Sequence, residues 1–476
     1  MKAIAAAIFL LITIILSPSV AAQEEAAVFT ATISYQLSNE GANDALNVRA
    51  TLFLFDNISG WAEQSILNES ITLDGTPISP EIFSGDENRW TVVEVGDLKP
   101  GQKRTITVSQ TIKVKSVDFA VDPSRVGNEF PPELDVCTRP VSGLFESDDP
   151  RIQELAAELT GGLTNPYLKL ERIMKYVAEN IRYERQPTEH GALWCLINGE
   201  GDCTEFSNLM IALARAVGIP AKAVVGYAYL PIYTSEETSH DIRSLGHEYA
   251  IFYIPGYGWI PADAVWPQYE GTLGKTDQYR LAGVTTDGSG VVREGGSLSW
   301  PGPGYVYTGW SYVSGKPTEV KSTVSGDIVP EVIASLDINV GGEMEEGLLP
   351  ISVTVKNGGR ARLENLVIRL NVDQTKFQET ESPPRISSLE AGENTTVETS
   401  IRLLENAYGA ASTIGASVQF DPAFSGTGRL SASRSITLNI SKKPEMPALP
   451  QDMLTLAVIG IILVIVLVGV AIAIKR

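Results

Sequence analysis

Gly201-Asp202-Cys203-Thr204-Glu205-Phe206 is followed, 44 residues after the cysteine, by Gly246-His247, and then by Trp259-Ile260-Pro261-Ala262-Asp263. The three stretches supply a thiol, an imidazole and a carboxylate, in that order. A thiol is a useful nucleophile only as the thiolate, so it needs a base beside it and a third group to orient that base. A cysteine, a histidine and an aspartate that a fold can gather imply acyl transfer through an acyl-enzyme.

The elements that must position them can be read from the pattern. Cys203 falls at the predicted start of a helix reaching about Val217, with Phe206, Leu209 or Met210, Leu213 and Val217 turned inward. Gly218-Ile219-Pro220 stops it. Unpaired N–H groups and the positive end of the helix dipole favour a thiolate at that start and offer a place for an oxyanion. The Cys203 N–H is then one oxyanion donor, with Trp194 or Asn198 as the second. Asp202 and Glu205 read as helix caps. His247 opens a strand joined through Pro255-Gly256-Tyr257-Gly258 to the strand that ends at Asp263. Two side chains share a face of such a pair only if the paired residue numbers sum to an even number, whereas a four-residue turn pairs 254 with 259. A bulge or an odd-length loop is therefore expected, with His247 opposite Val265 or Asp263.

Upstream, Asp149-Pro150 opens a helix to Thr160, and Pro166 opens another with Leu170, Ile173, Val177 and Ile181 on one face. Strands are expected over 221–229, 247–254 and 258–263, and a Gly/Ser/Thr-rich wrapping of loop or irregular strand from Trp266 to Gly315. Helices followed by an antiparallel sheet make residues 145–315 an α+β domain. His190 and His240 stand among polar residues of predicted loops. His190, Cys195, Cys203 and His247 carry an H-x4-C-x7-C spacing that fits no common zinc rule, and neither a metal nor an organic cofactor is expected.

Outside this domain two segments look like copies. ISYQLSNEGANDALNV from Ile33 and ISVTVKNGGRARLENL from Ile351 align with Asn39/Asn357, Gly41/Gly359 and Asn47/Asn365 in register. LKPGQKRTITVS from Leu98 then parallels LEAGENTTVETS from Leu389. Alternating apolar residues broken by Asn/Gly turns read as all-β sandwiches over 25–135 and 328–441, of a pattern similar to the Ig-like modules of extracellular proteins.

Met1-Lys2, the apolar run from Ala3 to Leu16 and the small residues before Ala22 read as a secretory signal over 1–22. Residues 454–474 carry no charge, are long enough as a helix to cross a bilayer, and precede Lys475-Arg476. The expected layout is thus a single-pass cell-membrane protein with an extracellular body, a Pro-containing stalk over 442–453 and one C-terminal transmembrane helix. Residues 23–452 hold all 57 acidic and 34 of the 37 basic residues, a net charge of −23 that repels nucleic acid. Three cysteines leave one unpaired in a secreted chain. A Cys137–Cys195 disulfide would leave Cys203 free for chemistry, whereas Cys195–Cys203 would remove the nucleophile. Glycosylation acceptors occur at Asn57, Asn68, Asn394 and Asn439, all in the flanking β regions.

With these residues in place, the middle domain resembles the transglutaminase-like superfamily of papain-related folds. The marks are the Gly-Asp-Cys helix start, Leu213-Ala214-Arg215-Ala216-Val217-Gly218-Ile219-Pro220-Ala221 after it, and the His…Pro-Gly-Tyr-Gly-Trp…Asp hairpin. The resemblance implies Cys203 as nucleophile, His247 as base and acid, and Asp263 as the orienting residue. Glu248-Tyr249 departs from the family's usual small residue followed by Trp, and Ala264-Val265 from its Pro-Thr. The expected function is a surface-anchored thiol enzyme acting on amide or acyl bonds of proteins or peptides, with hydrolysis favoured over transfer to an amine. The rival is an inactive surface scaffold or adhesin that binds through its β-sandwiches.

Overall fold

The computed structural model describes residues 25–441, apart from 86–87, 230–239, 266–272, 290–291, 295–296, 300–301, 343–346 and 410. The copied segments fold alike. Asn39 ends the strand Ala26–Asn39, is fully buried, donates its amide to the carbonyls of Asn43 (2.8 Å) and Leu98 (2.7 Å), and accepts from the Gly41 N–H (3.0 Å). Asn357, at the end of Leu348–Asn357, does the same with Ala361 (2.9 Å), Leu389 (3.0 Å) and the Gly359 N–H (3.0 Å). Asn47 and Asn365 both adopt φ 53°, the left-handed conformation that asparagine tolerates. What repeats is therefore a hydrogen-bonded turn.

Around each copy, two sheets close over one apolar core, because alternating side chains of both face inward. The second unit orders its strands Ala334–Val340, Leu348–Asn357, Asn394–Leu403, Phe377–Glu379 in one sheet and Ile386–Leu389, Leu363–Val372, Ala411–Pro422, Leu430–Asn439 in the other. The first unit is not confined to the expected 25–135. Val320–Val332 pairs with Ala26–Asn39 over 12 residues, and Val306–Ser311 pairs with Ala45–Leu54. The middle domain thus leaves the first unit after Lys103–Lys115 and returns to it at Val306–Ser311. Nothing local in residues 306–332 names partners that far back in the chain.

The elements of the middle domain are numbered here in their own order. Helices α1 (Pro150–Thr160), α2 (Pro166–Asn180), α3 (Ala192–Asn198) and α4 (Cys203–Ala216) lie against an antiparallel sheet of β1 (Ala221–Ala228), β2 (Gly246–Ile254), β3 (Gly258–Ala262) and β4 (Arg280–Thr286), in the order β3-β2-β1-β4. The inward residues expected on α2 (Leu170, Ile173, Val177) are buried. α4 is buried on every side from Thr204 to Arg215, with the other helices on one flank and Ala223, Ala250, Phe252 and Ala262 of the sheet on the other. β4 was expected to be loop or irregular strand; it is a fully buried strand.

The expected fold class is corrected in one further respect. Among the described residues, no helix is long and apolar enough to cross a membrane. What the described residues carry is an α+β domain accompanied by many β-strands, and the class is stated without a transmembrane helix. The segments read as leader (1–22), stalk (442–453) and span (454–474) lie outside the described residues.

Candidate active site

The nucleophile candidate sits where a helix is forced to begin. Asp202 caps α4 by accepting from the Thr204 N–H (3.1 Å), and Glu205 reaches back to accept from the Asp202 N–H (2.8 Å). Gly201 leaves room for this box, since a Cβ there would lie 2.3 Å from the Glu205 Cβ. Cys203 is the first residue of the helix and half-buried. Its sulfur takes a hydrogen bond from the backbone N–H of Glu248, the residue after His247. The first two turns of α4 are further tied to β2 by the Ser207 hydroxyl, which donates to the Glu248 carbonyl at 3.2 Å.

β2 and β3 pair Ile254 with Gly258, Phe252 with Ile260 and Ala250 with Ala262. The loop between the paired ends is Pro255-Gly256-Tyr257, an odd length, and the sum of paired numbers is even, as a shared face requires. Gly256 and Gly258 make the reversal at φ 95° and 82°. The register carries on to place Asp263 opposite Tyr249, diagonal to His247 on the same face. Asp263 Oδ2 lies 2.8 Å from His247 Nε2, with both side chains buried.

Burial alone would push the Asp263 carboxyl up. The charges of His247 and Arg280, with hydrogen bonds from His247 and the Val265 N–H (3.0 Å), outweigh it and hold the group below the usual carboxylate range. Asp263 is therefore an acceptor, His247 Nε2 carries the proton it accepts, and Nδ1 is the nitrogen left for a lone pair. The thiol behaves differently from the sequence-based expectation of a stabilised thiolate. Burial pushes Cys203 well up, and the charges of Asp202, Glu248 and Asp263 add to it, against the single hydrogen bond from the Glu248 N–H. Burial, the largest of these effects, outweighs what the helix start offers the thiolate.

Other expected site residues fall as follows. Asn198 is exposed and donates its amide to the Trp194 carbonyl within α3 (2.8 Å); the Trp194 ring stacks on His190 with centroids 4.0 Å apart. The Cys137–Cys195 disulfide does not form. Cys137 is buried in the 3-10 helix Pro132–Thr138, while Cys195 is buried inside α3 among apolar neighbours that raise its thiol. Asn57, Asn68, Asn394 and Asn439 are all exposed.

Arg280 went unread in the sequence. Its Nε and Nη2 both reach Asp263 Oδ2 at 3.0 Å, and its Nη1 pairs with Asp277. The Asp277-x-x-Arg280 spacing was the available signal, hidden in a segment taken for loop.

Residues 153–264 match the family model described as the Transglutaminase-like superfamily. An uncharacterized protein of Haemophilus influenzae is 28% identical over 193 residues, which are 35% of this chain and 51% of the relative. Uncharacterized protein YebA of Bacillus subtilis is 24% identical over 152 residues, 29% of this chain and 20% of the relative. The chain therefore spans about half the length of the first and a fifth of the second. Among solved structures, a candidate cysteine protease from Cytophaga hutchinsonii aligns with TM-score 0.40 and 19% identity, over 65% of this chain and 99% of that one. The periplasmic domain of TgpA from Pseudomonas aeruginosa aligns with TM-score 0.26 and 14% identity, over 49% and 88%.

Proposed function

We propose that the transglutaminase-like domain of this chain is a thiol enzyme in which Cys203, His247 and Asp263 act together on an amide or related acyl bond of a protein or peptide. The observation that supports it most is the buried 2.8 Å bond between His247 and Asp263, set one residue from the N–H that meets the Cys203 sulfur. The thiol, raised by its surroundings, keeps its proton at rest. As the sulfur attacks the carbonyl carbon, His247 Nδ1 takes that proton, and the oxygen becomes an oxyanion within reach of the first N–H groups of α4. Collapse breaks the bond to the amine, which leaves with the proton from His247, and a thioester remains on Cys203. Water then gives its proton to His247 and its oxygen to the carbonyl, and the thiolate leaves and is reprotonated. Transfer to an amine follows the same steps with the amine in place of water. Hydrolysis is favoured, because among the described residues no feature of the site is built to hold an amine against it.

Iodoacetamide labelling of Cys203, followed by mass spectrometry from acid to alkaline pH, tests the reading. Near neutral pH, His247→Ala should slow labelling at least about tenfold. A thiol that reacts at one rate with and without the imidazole is not coupled to it, and the scaffold reading would then stand.

A further inference from the structure

β4 is the outermost strand of the middle sheet, and no strand of that sheet covers its outer edge. Side chains of the first β unit do so instead. Gln64, on the strand Glu63–Leu73 and 2% exposed, donates from Nε2 to the Ala282 carbonyl (2.9 Å) and accepts at Oε1 from the Ala282 N–H (3.0 Å). A second bond from Nε2 to the Asp56 carbonyl (3.0 Å) fixes the amide in its own unit. Three residues further along, Asn88 repeats the pattern on Thr285, with both bonds at 2.9 Å. Each amide takes the place of a peptide group in a neighbouring strand. The Gln64 contact lies two residues from Arg280, whose guanidinium holds the same Asp263 oxygen, Oδ2, that meets His247 Nε2.

We propose that Arg280 and Gln64 are positioning residues for the thiol chemistry, so that the first β unit forms part of the active-site support. The proposal rests on the reading of Cys203, His247 and Asp263 given above. Gln64 sets the height of β4, β4 sets Arg280, and Arg280 divides the negative charge of Asp263 between itself and the imidazole. The groups facing Asp263 are His247 and Tyr249 from β2, Arg280 from β4, Asp277 just before β4, and the Cys203 thiol from α4. Arg280 and the imidazole therefore compete for one carboxylate oxygen, and the position of the guanidinium decides how much of that oxygen is left to orient His247.

The test is the acid limb of Cys203 labelling by iodoacetamide in the full chain. Arg280→Met should move the limb to higher pH by about one unit, making labelling about tenfold slower below it. Arg280→Lys should restore most of the shift, since the charge returns. Gln64→Leu should move the limb the same way by a smaller amount. Asn88→Leu removes the same number of bonds from the same edge, but farther from Arg280, and should lower the melting temperature while leaving the limb in place. A limb that stays put in both Arg280→Met and Gln64→Leu, or that moves equally in Gln64→Leu and Asn88→Leu, overturns the proposal. If Arg280→Met does not fold, Arg280→Lys and Gln64→Leu against Asn88→Leu decide the matter. Failure of the underlying reading looks different: labelling of the unsubstituted protein would then be indifferent to His247→Ala.

Discussion

Replacing Glu248 by leucine removes a carboxyl that the fold buries without a good partner. Glu248 is 2% exposed and lies against the start of α4, close to Asp202, Thr204 and Glu205. Among the described residues no hydrogen-bond donor meets either carboxyl oxygen with good geometry, although the Thr204 hydroxyl approaches. Burial, and then the charges of Glu189, Glu205 and Asp202, raise the group far above its usual range. Glu205 beside it is pushed up to about 7, mainly by burial. Both carboxyls therefore hold protons in the folded state at pH values where the unfolded chain, with glutamates near 4.3, has lost them. The stability this provides is fully present below about pH 4 and is lost as pH rises through the folded values. An unsatisfied buried polar group costs about 1–3 kcal/mol, and an imperfect hydrophobic fit returns less than about 1.5 of that. Glu248→Leu should thus stabilise α4 and β2 by about 1–2 kcal/mol near neutral pH, and by less near pH 5, where ionisation of the glutamate favours the unfolded chain less. Amide hydrogen exchange in these two elements at both pH values measures it. A variant that exchanges faster near neutral pH, or gains equally at both, refutes the reasoning.

Asp263→Asn should lower acyl-enzyme formation about 10³- to 10⁴-fold with the fold intact, because the amide neither fixes the imidazole tautomer nor pairs with Arg280; a loss below tenfold in trapping experiments would count against the triad. Asn39→Ala removes four side-chain hydrogen bonds and Asn357→Ala three from buried turns, and each should cost about 2–4 kcal/mol, alike within about 1 kcal/mol, in calorimetry of the two β transitions. Arg215 is buried over the Phe145 ring, 4.5 Å from its centroid, and donates to the carbonyls of Arg139 (2.7 Å), Ala221 (2.7 Å) and Asp287 (2.9 Å). Arg215→Met should destabilise the middle domain by about 3 kcal/mol or more, read as a lower urea midpoint.

Local chemistry made much of this site legible. The capping box at Asp202 and Glu205, the apolar stripe of α2 and the hairpin parity around Tyr257 each depend on residues within a few positions of one another, and each was readable from spacing. The turn shared by Asn39 and Asn357 was readable because the chain contains it twice. What stayed hidden depends on distant partners. Residues 275–286 look like loop because their apolar content is modest, yet Arg280 is buried there by a carboxylate 17 positions earlier and by a strand more than 200 positions away. The raised thiol of Cys203 was equally out of reach, since it comes chiefly from burial, which elements distant in sequence create, and only then from charges such as that of Asp202. The cysteine count suggested a bridge, but Cys137 and Cys195 are each buried from a separate helix.

The insertion of the middle domain explains why these distant contacts can be relied upon. A domain joined by one linker samples many orientations, and a pair of amide contacts would hold it weakly. This one leaves and re-enters the same two-sheet unit, and the returning strand Val320–Val332 zips along Ala26–Asn39 for 12 residues. Thr318 adds bonds to the Asn39 side chain (2.7 Å) and the Asn43 carbonyl (2.8 Å), at the turn that the chain's second copy repeats. Tethering both ends restricts the domain before any side chain meets, so Gln64 and Asn88 need only choose among a few remaining orientations. Cutting the chain just before Val306, where it re-enters the first unit, would release one tether while leaving every residue of the candidate triad untouched. By this reasoning the acid limb of Cys203 labelling should then shift as in Gln64→Leu, whereas a limb unmoved by the cut would show that the amide contacts hold β4 without help from the returning strand.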